Sequence, residues 1–423
     1  MAIIAFILAG LFVGVLGLLG LLNAVRGTPV RRVVPLGATL PPVDDPSFCT
    51  AMELVSRTAL SGGHHVETFW NGDQTYPRLW ADLRAARTSI TLQLYYCETG
   101  RMADELREIL VDRARAGVRV FFLYDAFGTS FPDEYIDALR AAGVRAEPFR
   151  PIGIRTLRTM QHRAHVRVVS IDGTIGWTGG FGISDKWFGD GRTKDHWRDS
   201  NVRFTGPAVH QLWAAFAACW TESTGDLLIA PVEPSADGDG PVVAGLLHAS
   251  PSVGSTEAER FLTYSIASAR RTLYITNSYF VPDRAIRTLI ADAARRGVDT
   301  RILTVSAETD VKSTWYAGRA RYEELLAAGV RIFEYQPVMM HAKTLTVDGG
   351  WAALGSMNAD NRSLSFNEET VLMILDAGVT CTIERQFLDD LGFANEIRLD
   401  EFRRRGWIER IKEKACYAVW RVL

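Results

Sequence analysis

The chain has 423 residues, of which 47% are hydrophobic and 23% charged, and its formal net charge is -2. This length and composition suit a globular protein of two domains or two fused halves. The near-zero charge gives no electrostatic reason to expect a nucleic-acid partner. The five cysteines are odd in number and far apart, so they indicate neither a disulfide framework nor a zinc site, and they favour a reducing compartment.

The first predicted element is a transmembrane helix at residues 2–22. These residues carry no polar side chain, and as a helix they would span about 31 Å, enough for a bilayer core. No Lys or Arg precedes the apolar run and no clear small-residue cleavage site follows it, which favours an anchor over a cleaved signal peptide. Arg26, Arg31 and Arg32 follow the span, so the positive-inside rule predicts a single pass with the rest of the chain in the cytoplasm.

A tether and a first α/β domain follow the predicted anchor. Residues 23–65, rich in Pro and Gly as far as Ser47, predict a tether that keeps the domain near the lipid headgroups. We assign residues 66–231 to the first domain. Its pattern predicts a β-α-β unit, and hence parallel strands, from a strand at 89–96, a helix around 106–110 and a strand at 118–125.

The second half of the sequence repeats this pattern. The segment 272–305 again predicts strand, helix and strand, and residues 327–331 repeat the sequence of 141–145. We therefore predict two pseudo-symmetric copies of one α/β domain, packed as an intramolecular pseudo-dimer. The second copy is assigned to residues 257–401, and the stretch dominated by Pro, Gly, Ser and Asp at 232–256 is the predicted linker.

The second copy contains side chains suited to a phosphate. Apolar and polar residues alternate after His341, which predicts a strand with His341 and Lys343 on one face. A turn at Asp348 would lead the chain back to Ser356 and Asn358. An imidazole, an ammonium, a hydroxyl and an amide together supply a nucleophile or acid and donors for phosphate oxygens.

The first copy repeats this layout with His165, Arg167 and Asp172. In both copies the basic residue follows the His by two positions and the Asp follows it by seven. Asp172 and Asp348 have two interpretations, either orientation and charge support within the site or turn residues before a glycine. Two further acidic residues, downstream in each copy, are candidates for orienting a histidine: Asp199 and Glu369.

These motifs resemble the repeated signature of the phospholipase D superfamily, which is His, any residue, Lys, four residues and Asp, followed by a small-residue turn with Asn. The similarity covers roughly residues 66–423. Arg167 stands where the family has Lys, and Gly182 stands where the first copy usually has Asn. Three further stretches resemble the bacterial cardiolipin synthase branch of this superfamily: 178–185, 197–209 and 279–283.

The resemblance implies a phosphatidyltransferase of a bacterial inner membrane that moves the phosphatidyl group of one phosphatidylglycerol onto another. One histidine would attack phosphorus to give a phosphohistidine while the other acts as acid and base, and the resemblance favours His165 as the nucleophile and His341 as the acid/base. Asp172 and Asp348 belong to the predicted catalytic set, and one chain would carry the complete site. The phosphate would be held, without metal or cofactor, by Arg167, Lys343, Ser356 and Asn358.

Other functions remain open at this stage. Water as the acceptor would make the protein a hydrolase that releases phosphatidic acid. Loss of one half-site through Arg167 and Gly182 would make it a non-catalytic lipid-binding protein. A nuclease of the same superfamily is disfavoured by the neutral charge and the anchor. The sequence does not determine the acceptor alcohol.

Two further stretches are basic. Arg155, Arg158 and Arg163 precede His165 and form either a funnel for headgroup phosphates or a solvated loop. The C-terminal segment 402–423 alternates basic residues with Trp and Ile, and it predicts either a helix that lies on anionic lipid or a helix packed on the domain. The remaining histidines show no ligand spacing for a metal.

Overall fold

The computed structural model describes residues 30–35, 37, 39–151, 153, 162–229, 238–252 and 254–419, together with positions 10, 11, 14 and 17. Apart from those four positions, the predicted transmembrane helix at 2–22 lies outside the described residues. Within the described part of the chain, no helix combines the length and the apolar character needed to cross a bilayer.

The first half forms a seven-stranded mixed sheet. Its elements and those before it are α1 (Pro46–Ser56), β1 (Ser61–Gly63), β2 (His65–Trp70), α2 (Asn71–Arg84), β3 (Ser89–Leu94), α3 (Arg101–Arg115), β4 (Arg119–Asp125), α4 (Asp133–Ala141), β5 (Arg145–Phe149), β6 (Val168–Ile171), β7 (Ile175–Gly179), a 3-10 turn (Asp185–Trp187), β8 (Ser200–Thr205) and α5 (Ala208–Thr224). The strand order is β2-β8-β7-β6-β3-β4-β5.

The second half forms a nine-stranded mixed sheet. Its elements are β9 (Gly240–Ala249), α6 (Glu257–Ser268), β10 (Thr272–Asn277), α7 (Arg284–Arg295), β11 (Asp299–Val305), α8 (Lys312–Arg319), α9 (Tyr322–Ala327), β12 (Arg331–Tyr335), β13 (Lys343–Val347), β14 (Trp351–Gly355), α10 (Asn361–Ser365), β15 (Glu369–Leu375), α11 (Ala377–Leu391), β16 (Ala394–Ile397), α12 (Leu399–Arg403) and α13 (Trp407–Ala418). The strand order is β1-β9-β15-β14-β13-β10-β11-β12-β16.

Both halves contain the predicted parallel β-α-β unit. Strand β3 pairs with β4 in parallel from Ser89 opposite Arg119, and β10 pairs with β11 in parallel from Thr272 opposite Asp299. The crossover helix α3 buries one apolar face, with Met102 among its buried residues, and α7 begins at an Asp283 cap whose side chain accepts from the Ile286 amide. The α/β class and its internal repeat are therefore confirmed.

The described residues form four hydrophobic clusters, the smallest of which surrounds Leu303, Tyr335 and Phe387 in the second half. Helices α2, α3 and α4 cover one face of the first sheet, and α1, α6, α7 and α9 cover one face of the second. Between the halves, both sheets pack with α5 and α11 in a shared cluster. Full burial of one large apolar side chain, relative to leaving it exposed, stabilises the fold by about 1.5–3 kcal/mol. The fully buried members of the shared cluster include Val202, Phe204, Phe216, Leu354 and Leu372.

The predicted tether and linker are both partly structured. The range 232–256 contains β9, an internal strand of the second sheet, because its apolar side chains are buried on both faces of that sheet. The range 23–65 contains α1, whose Phe48 and Met52 are fully buried in the core of the second half. Most of the Pro, Gly, Ser and Asp residues that suggested a linker flank β9, although Gly240, Pro241 and Gly245 lie within it, so composition averaged over 232–256 concealed a strand.

Two pseudo-equivalent backbone crossings join the halves beside the motifs. The amide of Glu368 donates to the carbonyl oxygen of Arg163 at 2.9 Å, and the amide of Arg198 donates to that of Met339 at 2.9 Å. The first crossing lies immediately before His165 and the second immediately before His341. The same pseudo-twofold arrangement therefore brings both motifs to the boundary between the halves.

Candidate active site

Both predicted histidines line one cavity of about 460 Å³. His165 lies just before β6 and His341 just before β13, and Arg167 and Asn358 line the same cavity. The structure therefore brings side chains of both motifs to one place, as the sequence predicted. Aromatic residues complete much of the wall: Tyr95, Tyr96, Phe127, Trp187, Trp197 and Tyr279.

Each histidine is held by a carboxylate from the opposite half of the chain. His165 Nδ1 donates to Glu369 Oε1 at 3.0 Å, and His341 Nδ1 donates to Asp199 Oδ2 at 3.0 Å. Both carboxylates are completely buried, so these hydrogen bonds are charge-assisted and little screened. With the proton of a neutral ring on Nδ1, Nε2 is left as the basic and nucleophilic nitrogen. The hypothesis that these two acids orient the histidines is confirmed, with the pairing crosswise.

The histidines are neutral near pH 7 when no substrate is bound. Burial lowers the pKa of His165 to about 4, and the nearby Arg167 adds to this effect while the carboxylate partner opposes it. Burial lowers the pKa of His341 to about 3, with Lys343 adding to the effect. A neutral imidazole is the form that a nucleophile requires. An anionic phosphate beside the rings would favour the cationic form and raise both pKa values.

Arg167 and Lys343 occupy equivalent positions beneath the histidine backbones. Arg167 Nη1 donates to the carbonyl oxygen of His165 at 2.8 Å, and Lys343 Nζ donates to the carbonyl oxygen of His341. Burial lowers the pKa of Lys343 to about 7. Arg167 lines the cavity, whereas Lys343 is absent from the described residues that line it. Lys343 therefore contributes positive charge near the cavity while its ammonium group is bonded to the His341 backbone.

The predicted phosphate donors Ser356 and Asn358 have different environments. Ser356 Oγ donates to Glu369 Oε2 and accepts from the Thr370 amide at 3.0 Å, so this buried hydroxyl supports Glu369 instead of a phosphate. Its predicted phosphate contact is corrected accordingly. Asn358 lines the cavity, and its Oδ1 has no hydrogen-bond partner among the described residues. Asn358 is therefore the side chain of this pair that faces the cavity.

Gly182 leaves no room for the amide that the other motif carries. A Cβ at Gly182 would lie 2.9 Å from the carbonyl oxygen of Tyr96 and 3.1 Å from the Trp187 ring. Trp187 Nε1 donates to Asp199 Oδ2 at 2.7 Å, so the indole that fills this space also supports a carboxylate of the site. The glycine at position 182, where the signature has Asn, thus leaves the space that the Trp187 ring occupies in the wall of the cavity.

Asp172 and Asp348 are turn residues outside the cavity. Each has a φ of 53° and precedes a glycine with a φ of 69°. The amides that donate to Asp172 are those of Arg87, Thr88 and Ser89, and those that donate to Asp348 are those of Arg270, Arg271 and Thr272. These bonds tie each hairpin turn to the start of β3 or β10. The predicted catalytic role of both carboxylates is therefore corrected to a structural one.

Aromatic rings whose role was not predicted from the sequence surround His341. The ring centroids of Trp187, Trp197 and Tyr279 lie 5.3, 5.4 and 6.4 Å from that of His341. Tyr95 lies 5.1 Å from His165. Trp197 and Tyr279 fall within stretches that resembled the cardiolipin synthase branch, which was the available signal. Aromatic walls lower the polarity around the histidines, and low polarity strengthens the electrostatic interactions within the cavity.

One group of potential metal ligands lies outside this cavity. Ligand atoms of Cys219, His248 and Glu368 lie within 4.8 Å of one another. Glu368 is already paired with Arg150 at 3.0 Å and accepts from Ser250 Oγ at 2.6 Å. Burial disfavours the charged form of His248, but its interactions with Cys219 and Glu368 outweigh burial and raise its pKa to about 10. Arg150 and the His248 imidazolium therefore both place positive charge beside this carboxylate.

Comparison with known proteins identifies relatives across most of the chain. A family model described as "Cardiolipin synthase, PLD-like domain" matches residues 262–391. The cardiolipin synthase of Geobacillus kaustophilus is 34% identical over 348 residues, which are 81% of this chain and 69% of that protein. Cardiolipin synthase A of Pseudomonas fluorescens is 32% identical over 357 residues, which are 84% of this chain and 74% of that protein.

A solved structure with low sequence identity has the same fold. The crystal structure of phosphatidylserine synthase from Haemophilus influenzae covers 89% of this chain and 100% of its own, with a TM-score of 0.65 and 13% identity. At this identity the similarity supports the architecture of two packed α/β halves and carries no conclusion about substrate.

Proposed function

This chain belongs to the cardiolipin synthase family of the phospholipase D superfamily and is a phosphatidyltransferase, and we propose that it moves the phosphatidyl group of one phosphatidylglycerol onto a hydroxyl of another, releasing glycerol. The observation that carries this proposal is the pair of buried histidines on one cavity, each bound to a carboxylate of the opposite half. A phosphodiester is anionic, so its cleavage requires a nucleophile that is active at neutral pH and positive charge for its oxygens.

In the first step we assign His165 as the nucleophile, in keeping with the resemblance to the superfamily. Its Nε2 attacks phosphorus, a P–N bond forms, and the bond between phosphorus and the glycerol oxygen breaks. His341 protonates the departing oxygen, since the bound phosphate raises the pKa of that ring and favours its cationic form. Arg167 and Lys343 supply positive charge, and the Asn358 amide offers hydrogen bonds to the non-bridging oxygens.

In the second step the acceptor hydroxyl attacks the phosphohistidine. His341 takes the hydroxyl proton, the new P–O bond forms, and the bond to His165 Nε2 breaks. The crosswise bonds from Asp199 and Glu369 support the proposal that one chain carries a complete site, because each half supplies a carboxylate that the other half needs. These steps use protein groups and substrate alone.

We place the protein at the inner membrane of a bacterium with the predicted anchor at 2–22 and the two halves in the cytoplasm. The helix α13 supports contact with an anionic lipid surface. Trp407, Ile408 and Ile411 are 71%, 54% and 56% exposed, while Glu413 is buried and accepts from Arg405 Nε at 2.9 Å. The helix thus packs on the domain through one side and presents Trp and Ile beside basic residues on the other, a combination that favours anionic interfaces.

Labelled phosphatidylglycerol in vesicles, incubated with purified full-length protein, tests the proposed reaction. Cardiolipin and glycerol are the expected products. His165→Ala and His341→Ala are each expected to abolish turnover, because each removes one of the two proton-transfer or bonding groups. His65→Ala is the matched control, since His65 lies on the surface and pairs with exposed Asp239. Near-normal turnover by either active-site variant would contradict the shared-site mechanism.

The same assay separates the alternatives. Phosphatidic acid in place of cardiolipin would identify water as the acceptor and a hydrolase. No turnover over hours by wild-type protein that binds the vesicles would identify a non-catalytic lipid-binding protein.

A further inference from the structure

We propose that Arg163 binds the phosphodiester of the incoming acceptor lipid, so that the cavity selects an anionic acceptor over a small neutral alcohol. The inference rests on the proposed function, because it adds a second anion site to the same cavity. It concerns the choice of acceptor and not the cleavage of the donor.

Arg163 lies in a row with the two motif residues of the first half. Arg163, His165 and Arg167 all line the cavity, whereas the intervening Ala164 and Val166 pack in the apolar cluster between the halves. This alternation shows an extended segment whose odd-numbered side chains point to one side. Positions two apart on such a segment are separated by about 7 Å. Arg163 is therefore one such step from the histidine that we assign as the nucleophile.

The Arg163 guanidinium is buried with part of its hydrogen-bonding capacity unused. The residue is 3% exposed, its Nη1 donates to the carbonyl oxygen of Arg150 at 3.1 Å, and that nitrogen lies 3.7 Å from Asp125 Oδ1. Nε and Nη2 have no hydrogen-bond partner among the described residues. Buried donors without partners are costly, and an Arg fork with two open nitrogens matches the oxygens of a phosphate.

Asp125 pairs with Arg163 and leaves part of the hydrogen-bonding capacity of the guanidinium unused. The Asp125 carboxylate is fully buried and also accepts from the backbone amides of Phe127, Gly128 and Ala164. Its closest approach to the guanidinium is 3.7 Å, from Oδ1 to Nη1. The guanidinium is thus held in place by Asp125, while its Nε and Nη2 remain without hydrogen-bond partners among the described residues.

The pseudo-twofold arrangement places no cation at the equivalent position of the other half. Arg163 and Met339 correspond, because each accepts a backbone hydrogen bond from the residue that precedes a histidine-binding carboxylate, Glu368 or Arg198. The structure therefore puts an arginine before His165 and a thioether before His341. This asymmetry is the expected one if a second phosphate binds only on the His165 side.

The chemistry of the acceptor fits a cation at this position. In phosphatidylglycerol a three-carbon glycerol unit separates the reacting hydroxyl from the lipid's own phosphodiester. When that hydroxyl attacks the phosphorus on His165 Nε2, the P–O bond forms, the P–N bond breaks and His341 takes the proton. The phosphodiester at the far end of the glycerol unit then needs a cation in the same cavity, one glycerol unit from the reaction centre, and Arg163 lines that cavity two positions before His165.

An acceptor-competition assay with the full-length protein tests the proposal. Vesicles of labelled phosphatidylglycerol are incubated with ethanol in the buffer, and cardiolipin and phosphatidylethanol are measured together. Arg163→Met, which copies the residue of the other half, is expected to lower cardiolipin formation roughly 10- to 100-fold, as for loss of a charge-assisted hydrogen-bond pair. Phosphatidylethanol formation is expected to fall less than about threefold, because the neutral acceptor makes no use of Arg163.

Arg163→Lys is the second variant, which retains the charge and the pairing with Asp125. We expect it to recover part of the cardiolipin yield, since a point charge replaces a two-pronged fork. Equal losses of both products in Arg163→Met would show that Arg163 contributes to donor binding or to the fold. Unchanged cardiolipin formation would show that it contributes to the binding of neither lipid. Each result overturns the proposal. Wild-type protein that forms neither product would instead refute the proposed function.

Discussion

Replacing Glu369 by Gln tests how the site handles charge. Glu369 Oε1 lies 3.0 Å from His165 Nδ1, and the carboxylate is completely buried. The ring gains positive charge when its Nε2 bonds to phosphorus, and the carboxylate stabilises that charge. Opposite charges about 4 Å apart at an effective dielectric constant of about 20 gain roughly 4 kcal/mol, so its removal predicts a fall in kcat of about 1,000-fold.

The assay is turnover of labelled phosphatidylglycerol in vesicles, with the unfolding temperature measured in parallel. Gln keeps the size of Glu and an acceptor oxygen for His165 Nδ1, and the Ser356 hydroxyl can rotate to accept from its NH2, so the variant is expected to fold. Asp199→Asn is the matched variant, because it removes the carboxylate that binds His341 at the same distance, and a loss of similar size is expected. A folded Glu369→Gln protein that keeps more than about a tenth of wild-type kcat would refute the electrostatic reasoning.

Three further predictions concern Lys343, Gly182 and Asp172. Burial lowers the pKa of Lys343 to about 7, so its positive charge is present below pH 7 and lost above it. In a pH–rate profile, kcat/KM should therefore fall on the alkaline side with a midpoint near 7. Lys343→Arg should move this alkaline fall to higher pH. Gly182→Asn should lower stability by about 1–3 kcal/mol without raising activity, because its Cβ would crowd the Trp187 ring; thermal unfolding and turnover check this. Asp172→Ala removes the acceptor of several backbone amides and should lower the free energy of unfolding by about 1–3 kcal/mol, while kcat stays near the wild-type value. Urea unfolding and turnover of the same protein check both parts.

Local pattern predicted the elements that carry the chemistry. Alternation after His341 gave the strand β13, and the repeated spacing identified His165 and Arg167 as the equivalent pair, which the structure places on the same cavity. The same pattern did not resolve the roles of Asp172 and Asp348. An Asp before a Gly is compatible with both a turn and an active site. The structure assigns these two residues to turns because their carboxylates accept from backbone amides more than 70 positions away in the chain.

Composition averaged over a segment was less informative than alternation within it. The range 232–256 contains enough Pro, Gly, Ser and Asp to suggest a linker, yet its central residues form β9 between β1 and β15. Strand β1 comes from residues that precede the first domain in the sequence. No local signal indicates that residues from so early in the chain complete the sheet of the second half, because strand pairing depends on which edges meet after both halves have folded.

The sequence by itself determined that two histidine motifs exist, that each leads into a short strand of an α/β repeat, and that their side chains suit a phosphate. Spacing along a strand or helix sets the direction of neighbouring side chains, and this information is local. Tertiary structure alone decided that Glu369 serves His165 and Asp199 serves His341, since these partners lie 204 and 142 positions apart. Packing of the two sheets also decided which polar groups are satisfied within the protein and which are left for a ligand. Both outcomes depend on contacts between distant segments, which no periodicity in the chain encodes.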